Sequence, residues 1–130
     1  MSRFLLDSDI IIWHLRGKPE VTEMLRDLQR AGLPACSALS VLEVLLGVKE
    51  GEEEKTERFL GSLRVFDVNR EIATVAARLI RERRRNGATL DLPDAVIAGT
   101  CILNELTLVT YNTKHYPIAD LKFHPLPPIQ

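Results

Sequence analysis

Asp7, Glu43 and Asp94 share one property: each is the isolated charge in an otherwise apolar stretch. Asp7 ends Phe4-Leu5-Leu6, Glu43 interrupts Leu39-Ser40-Val41-Leu42-Glu43-Val44-Leu45-Leu46, and Asp94 starts Asp94-Ala95-Val96-Ile97-Ala98. A carboxylate withdrawn from water costs roughly several kcal/mol unless a cation or good hydrogen bonds answer it. No Lys or Arg stands beside these acids in sequence. If the three converge, a hard divalent cation is the simplest answer to their repulsion. Mg²⁺ and Mn²⁺ take oxygen ligands and commonly keep several waters, which suits a few carboxylates around an open site. Ser8 and Thr110 supply hydroxyls at strand ends, Ser40 lies one turn before Glu43, and Asn112 follows the fourth strand; these neutral groups would support the ligands from behind.

Plainer roles exist for two of the acids. Asp7 or Ser8 can cap the helix after the first strand, and Asp94 falls in a first helical turn, where the dipole favours an acid. Asp91 reads as the N-cap of that same helix. Glu43 has no such role, because its helical neighbours are Leu39, Ser40, Leu46 and Gly47. Its apolar helix predicts a desolvated carboxylate.

For these acids to meet, the elements carrying them must open on one end of a sheet. Phe4–Leu6 reads as a buried strand passing into a helix over Asp9–Leu15, stopped by Gly17-Lys18-Pro19. Pro19–Ala31 carries Val21, Met24, Leu25 and Leu28 as one buried stripe. Leu33–Ser37 is a second strand, and Ala38–Lys49 a helix so apolar that burial on most sides is expected. A charged helix over Glu52–Leu63 turns Phe59, Leu60 and Leu63 inward. Arg64–Val68 is a third strand, and Arg70–Asn86 a helix with Ile72, Val75, Ala76, Leu79 and Ile80 at helical spacing. Ala95–Leu106 is another apolar helix, followed by a fourth strand, Thr107–Thr110, and a short last one at Leu121–Phe123. Strands alternating with helices predict an α/β fold over residues 1–130: a single domain with a mainly parallel central sheet of four to five strands and helices on both faces. In such sheets ligands bind outside the carboxyl ends of the strands, where Asp7 would stand.

The chain has 130 residues, 45% of them hydrophobic, and a formal net charge of -1, so no overall positive field draws it to nucleic acid. Any such binding rests on a local patch. The run Arg81-Glu82-Arg83-Arg84-Arg85 is the available one, although basic residues at a helix C-terminus also complement the dipole. Cys36 and Cys101, far apart in apolar segments, read as core residues in a reducing compartment. No secretory leader pattern and no membrane-length apolar run is present, which predicts a cytoplasmic protein with no membrane association.

Four stretches together resemble the PIN domain: Leu5-Leu6-Asp7-Ser8-Asp9-Ile10, Ser37-Ala38-Leu39-Ser40-Val41-Leu42-Glu43-Val44-Leu45-Leu46-Gly47, Leu92-Pro93-Asp94-Ala95-Val96-Ile97-Ala98, and Leu108-Val109-Thr110-Tyr111-Asn112-Thr113-Lys114-His115-Tyr116. Within that family the chain is similar to the VapC-type ribonuclease toxins of toxin-antitoxin pairs. The resemblance implies a magnesium-dependent endoribonuclease, with Mn²⁺ as substitute, in which Asp7, Glu43 and Asp94 bind metal and are catalytic. It also implies an RNA substrate cleaved by metal-activated water, a homodimer, and a small cognate antitoxin. Arg81, Arg83, Arg84 and Arg85 would be the RNA-binding patch.

The chain departs from the family pattern at two places. Asn112 stands where a fourth acid is frequent, and His115-Tyr116 where many relatives carry Asp-Phe; a neutral residue weakens any second metal position. Two other functions compete. Asp7-Ser8-Asp9-Ile10 also resembles the first motif of haloacid-dehalogenase-like phosphatases, a reading that leaves Glu43 without a role. A PIN-like fold that only holds RNA or protein is the other, since fold does not imply function.

Overall fold

The computed structural model describes residues 2–129. Within them four short strands form one parallel sheet: β1 (Phe4–Leu6), β2 (Ala35–Ser37), β3 (Arg64–Phe66) and β4 (Thr107–Val109), in the order β3-β2-β1-β4. The connections are helical, as parallel pairing requires: α1 (Ser8–Leu15), α2 (Pro19–Gln29), α3 (Ala38–Leu46), α4 (Glu53–Gly61), α5 (Arg70–Arg85) and α6 (Leu92–Asn104). A 3₁₀ turn, Thr113–His115, comes after β4.

Neighbouring residues of a strand face opposite sides, and β1 shows the consequence. Leu5, level with Ala35 and Leu108, enters a core shared with Val75, Leu79 and Ala98 of α5 and α6. Leu6, level with Val109, enters a second core with Ile10, Val21, Leu25 and Val44 from α1, α2 and α3. Both faces are covered, which is why β1 reads as an uninterrupted apolar run. The expected α/β architecture with helices on both faces is the observed one.

The stripes foreseen for α2 and α5 are buried: Val21, Met24, Leu25 and Leu28 in one, Ile72, Val75, Ala76 and Leu79 in the other. At Gly99 α6 runs close to α5: a Cβ there would meet the Ile72 carbonyl oxygen at 3.4 Å and the Ala76 nitrogen at 3.5 Å, ordinary contact distances. Cys36 and Cys101 are free thiols in the core, and burial pushes the Cys36 pKa up to about 11. No helix among the described residues is long and apolar enough to cross a membrane.

Two expectations are corrected. The last strand shrinks to one parallel bridge between Leu108 and Phe123, held by Leu108 N–H to the Lys122 carbonyl (2.8 Å) and His124 N–H to the Leu108 carbonyl (2.9 Å). Pro125 has no N–H to continue that ladder, and Pro127 and Pro128 repeat the deficit. Among the described residues the sheet therefore has four strands. The second correction concerns α3, expected to be buried on most sides. Only Ser40 and Val44 are buried along it, while Leu42 is 53% and Leu46 79% exposed. Composition announces that a face is apolar but not what covers it. Among the described residues nothing covers Leu42 and Leu46.

Helix limits shift by a few residues. α1 begins at Ser8 because Asp7 is its N-cap, and α6 begins at Leu92, with Asp91 in the N-cap position and Pro in its first turn. The Asp91 side chain makes no capping hydrogen bond.

Candidate active site

The strand order reverses at β1, which has β2 on one side and β4 on the other. Such a switch point leaves a crevice at the carboxyl ends of the strands. Asp7 stands there directly after β1, its N–H donating to the Val109 carbonyl at 3.0 Å, and it is only 7% exposed. Its Oδ1 accepts from Ser8 N–H at 2.8 Å, the helix-capping bond. Its Oδ2 accepts from the Thr110 hydroxyl at 3.0 Å and from the Tyr116 hydroxyl at 2.7 Å. Capping and site chemistry are therefore not alternatives for Asp7, since one oxygen serves the helix and the other faces Thr110 and Tyr116 beyond β4.

Glu43 and Asp94 reach the same place from α3 and α6. The Glu43 residue is exposed, contrary to the expectation of a desolvated acid, because the apolar side of α3 is open. Glu43 hydrogen-bonds with Ser8, and its pKa is raised by burial first and then by the Asp7 charge, with a smaller contribution from Asp94. Asp94 is likewise raised, by burial and then by Asp7, against the lowering influence of His115 and of a hydrogen bond from Tyr116. His115 Nδ1 lies 3.9 Å from Asp94 Oδ2. The three acids thus stand within electrostatic reach of one another, with a histidine as the nearest cation-forming group.

Asp9, two residues after Asp7, belongs to this neighbourhood but points elsewhere. Its Oδ1 caps Ile10 N–H at 2.8 Å and its Oδ2 accepts Tyr111 N–H at 2.8 Å, with Asn112 Nδ2 and Thr110 Oγ1 both at 3.5 Å. Burial, outweighing these bonds and aided by Asp7, pushes its pKa up to about 6. Asp9 fastens the segment after β4 to the start of α1 and so places Thr110 over Asp7.

Of the supporting residues, Ser8 serves both acids: its N–H bonds Asp7 and its side chain Glu43. Thr110 is 1% exposed and hydrogen-bonded to Asp7. Asn112 is exposed and turned toward Asp9, its N–H meeting Thr110 Oγ1 at 3.0 Å. Ser40 is fully buried and its hydroxyl lacks a partner, on the face of α3 that helical spacing gives Glu43. Arg81, Arg84 and Arg85 are exposed at the end of α5, whereas Arg83 donates to the Pro117 carbonyl at 2.7 Å and ties α5 to the residue after Tyr116. Tyr116, Asp9 and His115 are the residues that sequence reasoning did not place in the site. The one signal for Tyr116 was a hydroxyl-bearing ring where many relatives of the resembled family have Phe.

The donors that converge here are carboxylate and hydroxyl oxygens, which match a hard divalent cation. Glu43 and Asp94, both raised by burial and then by the Asp7 charge, and a buried Ser40 hydroxyl without a partner are what such a group would relieve. Among the described residues no three His, Cys, Asp or Glu side chains are already drawn together tightly enough to ligate an ion by themselves. The residues fit a cation that keeps waters between itself and part of its protein ligands, as Mg²⁺ does.

Residues 4–121 match the PIN domain, and the chain belongs to that family. Within it the chain groups with the VapC ribonucleases. It is 34% identical to ribonuclease VapC10 of Mycobacterium tuberculosis over 89% of this chain and 87% of that one, and 35% identical to ribonuclease VapC19 of the same organism over 88% and 92%. Among solved structures it resembles the DNA-bound VapBC of Salmonella typhimurium, with a TM-score of 0.82, 25% identity, and coverage of 95% of this chain and 98% of that one. A toxin-antitoxin complex from Klebsiella pneumoniae gives a TM-score of 0.75 at 29% identity, covering 89% and 92%. Family membership removes the haloacid-dehalogenase alternative, which had already left Glu43 without a role.

Proposed function

We propose that this chain is the ribonuclease toxin of a toxin-antitoxin pair, an endoribonuclease that uses a divalent cation, Mg²⁺ or in its place Mn²⁺. The observation that carries this reading is the meeting of Asp7, Glu43 and Asp94 at the switch point, where the Asp7 charge raises both Glu43 and Asp94 and no Lys or Arg stands among the groups that shift those two. Similarity to the VapC ribonucleases supports it. In this reading Asp7, Glu43 and Asp94 hold the cation. When bound, that ion makes a water acidic enough to attack a phosphodiester and offsets charge on the phosphate oxygens. Ser8 holds Glu43, and Thr110 and Tyr116 hold Asp7, so the carboxylates keep their positions as RNA enters. Exposed Arg81, Arg84 and Arg85 meet the RNA backbone outside the site, with Arg83 fixing their helix end.

The chain works as a homodimer restrained by its cognate antitoxin. Uncovered Leu42, Leu45 and Leu46 on α3 support a protein partner, and the similar solved complexes pair toxin with antitoxin. The test is cleavage of cellular RNA by partner-free protein in Mg²⁺, in Mn²⁺ and in chelator, with the ends of the fragments sequenced. The expected result is cleavage only with metal, leaving 5′-phosphate and 3′-hydroxyl ends, and a loss of orders of magnitude in Glu43→Gln. Full activity in chelator, or 2′,3′-cyclic phosphate ends, overturns the metal mechanism.

A further inference from the structure

We infer that Tyr116 and Thr110 hold Asp7 as a metal ligand through one oxygen only, so that each chain binds a single divalent cation. The inference rests on the nuclease reading above and concerns how its site is loaded. A carboxylate oxygen has about two lone-pair directions. On Asp7 Oδ2 both are used, one by Tyr116 at 2.7 Å and one by Thr110 at 3.0 Å. Oδ1 receives only Ser8 N–H at 2.8 Å and keeps one direction open. A carboxylate that bridges two cations must offer two open lone-pair directions, on one oxygen or on both, and this one has a single direction to give.

The donors on Oδ2 are firmly set. Tyr116 is 3% exposed and Thr110 1%. Tyr116 is anchored by its neighbours, with the Pro117 carbonyl taken by Arg83 at 2.7 Å and its ring edge-on to Phe123 at 6.3 Å. Thr110 is held by Asn112 N–H at 3.0 Å, which takes a lone pair of its Oγ1 and leaves the proton for Asp7.

Among the described residues, the other acids nearby are Asp91, exposed at the N-cap of α6, and Asp9. Asp9 has Oδ1 on Ile10 N–H and Oδ2 on Tyr111 N–H, both at 2.8 Å, bonds that turn it toward the start of α1 and the segment after β4. Asn112 is turned toward Asp9. His115 Nδ1 lies 3.9 Å from Asp94 Oδ2, against an oxygen that a second cation would need. Asp7, Glu43 and Asp94 remain, enough for one hydrated ion. Tyr116 is thus a positioning residue: it acts on the metal through Asp7.

The experiment titrates Mn²⁺ into the partner-free full-length chain, by calorimetry for stoichiometry and by electron paramagnetic resonance for the bound ion, with melting in chelator as the check on folding. Tyr116→Phe removes only the hydroxyl, Thr110→Val removes the other donor, and Thr110→Ser keeps it. The expected result is one Mn²⁺ per wild-type chain, an affinity weaker by about 10–100-fold in Tyr116→Phe and in Thr110→Val, and wild-type affinity in Thr110→Ser. Two Mn²⁺ per wild-type chain overturn the inference. So does unchanged affinity and resonance spectrum in both Tyr116→Phe and Thr110→Val. If wild type binds no Mn²⁺ and cleaves RNA in chelator, the nuclease-metal reading itself fails, which is a different result from one-ion binding that ignores Tyr116.

Discussion

Replacing Asp7 by Asn and by Ala separates its charge from its hydrogen bonds. In Asp7→Asn the amide oxygen can keep the cap on Ser8 N–H, and the amide nitrogen can donate to the Thr110 and Tyr116 hydroxyls, which accept as readily as they donate. The negative charge that raises Glu43 and Asp94 disappears. In Asp7→Ala the cap is lost, at a cost of about 1 kcal/mol, and the Tyr116 hydroxyl loses its 2.7 Å acceptor in a buried place. Each donor so stranded costs about 1–3 kcal/mol. Thr110 has Asp9 Oδ2 at 3.5 Å to turn to and Tyr116 has Asp94, so the loss stays at the low end of that range. The Ala variant should therefore fall below the Asn variant by about 2 kcal/mol, which at about 3–4 °C per kcal/mol for a domain of this size is roughly 6–8 °C in melting temperature. Melts in chelator measure this, with Mn²⁺ titration alongside. Asp7→Asn should melt at or above wild type, cleave no RNA and bind metal poorly. If Asn and Ala lose the same stability in chelator, the Asp7 charge is a structural support and the reasoning fails.

Stability of the metal-free chain should depend on pH through Asp9. Its folded pKa, about 6, lies above the ordinary 3.8, so between those values the folded state holds a proton that the unfolded chain has released. Stability from this group is present below about pH 4 and is lost as pH rises through 6, by about 1–2 kcal/mol after allowing for its partial solvent contact. His14, lowered by burial and by Lys55, acts in the opposite direction, since its stability is lost as pH falls. Urea midpoints from pH 4.5 to 7.5 should fall more steeply in wild type than in Asp9→Asn, and equal slopes would remove Asp9 from this account. At the α5–α6 contact, Gly99→Ala should raise stability by about 0.5–1 kcal/mol through helix propensity, because its Cβ contacts of 3.4 to 3.6 Å are tolerable. Gly99→Leu has no room against the Ile72 carbonyl and should destabilise by more than that gain. Denaturant melts of the two variants that fail to move in opposite directions would show that the helices are not in contact there.

Much of the fold is written locally. Leu5-Leu6 and Leu108-Val109 are short apolar pairs whose neighbours must face opposite ways in a strand, and Val21, Met24, Leu25 and Leu28 can share a face only on a helix. The acids Asp7, Glu43 and Asp94 stood out for the same reason, as single charges breaking patterns that nearest neighbours set. What those acids touch was not legible. Tyr116 reaches Asp7 across 109 residues of chain and Tyr111 reaches Asp9 across 102, and both contacts exist only because β4 pairs with β1 in one register. A one-residue slip would turn Thr110 away from Asp7. The exposure of α3 belongs to the same class: Leu42, Leu45 and Leu46 announce an apolar face, but whether the chain's own helices cover it depends on where α1 and α4 pack. Periodicity decides which side of an element is apolar. Chain path and register decide which distant hydroxyl, carboxylate or empty space that side meets.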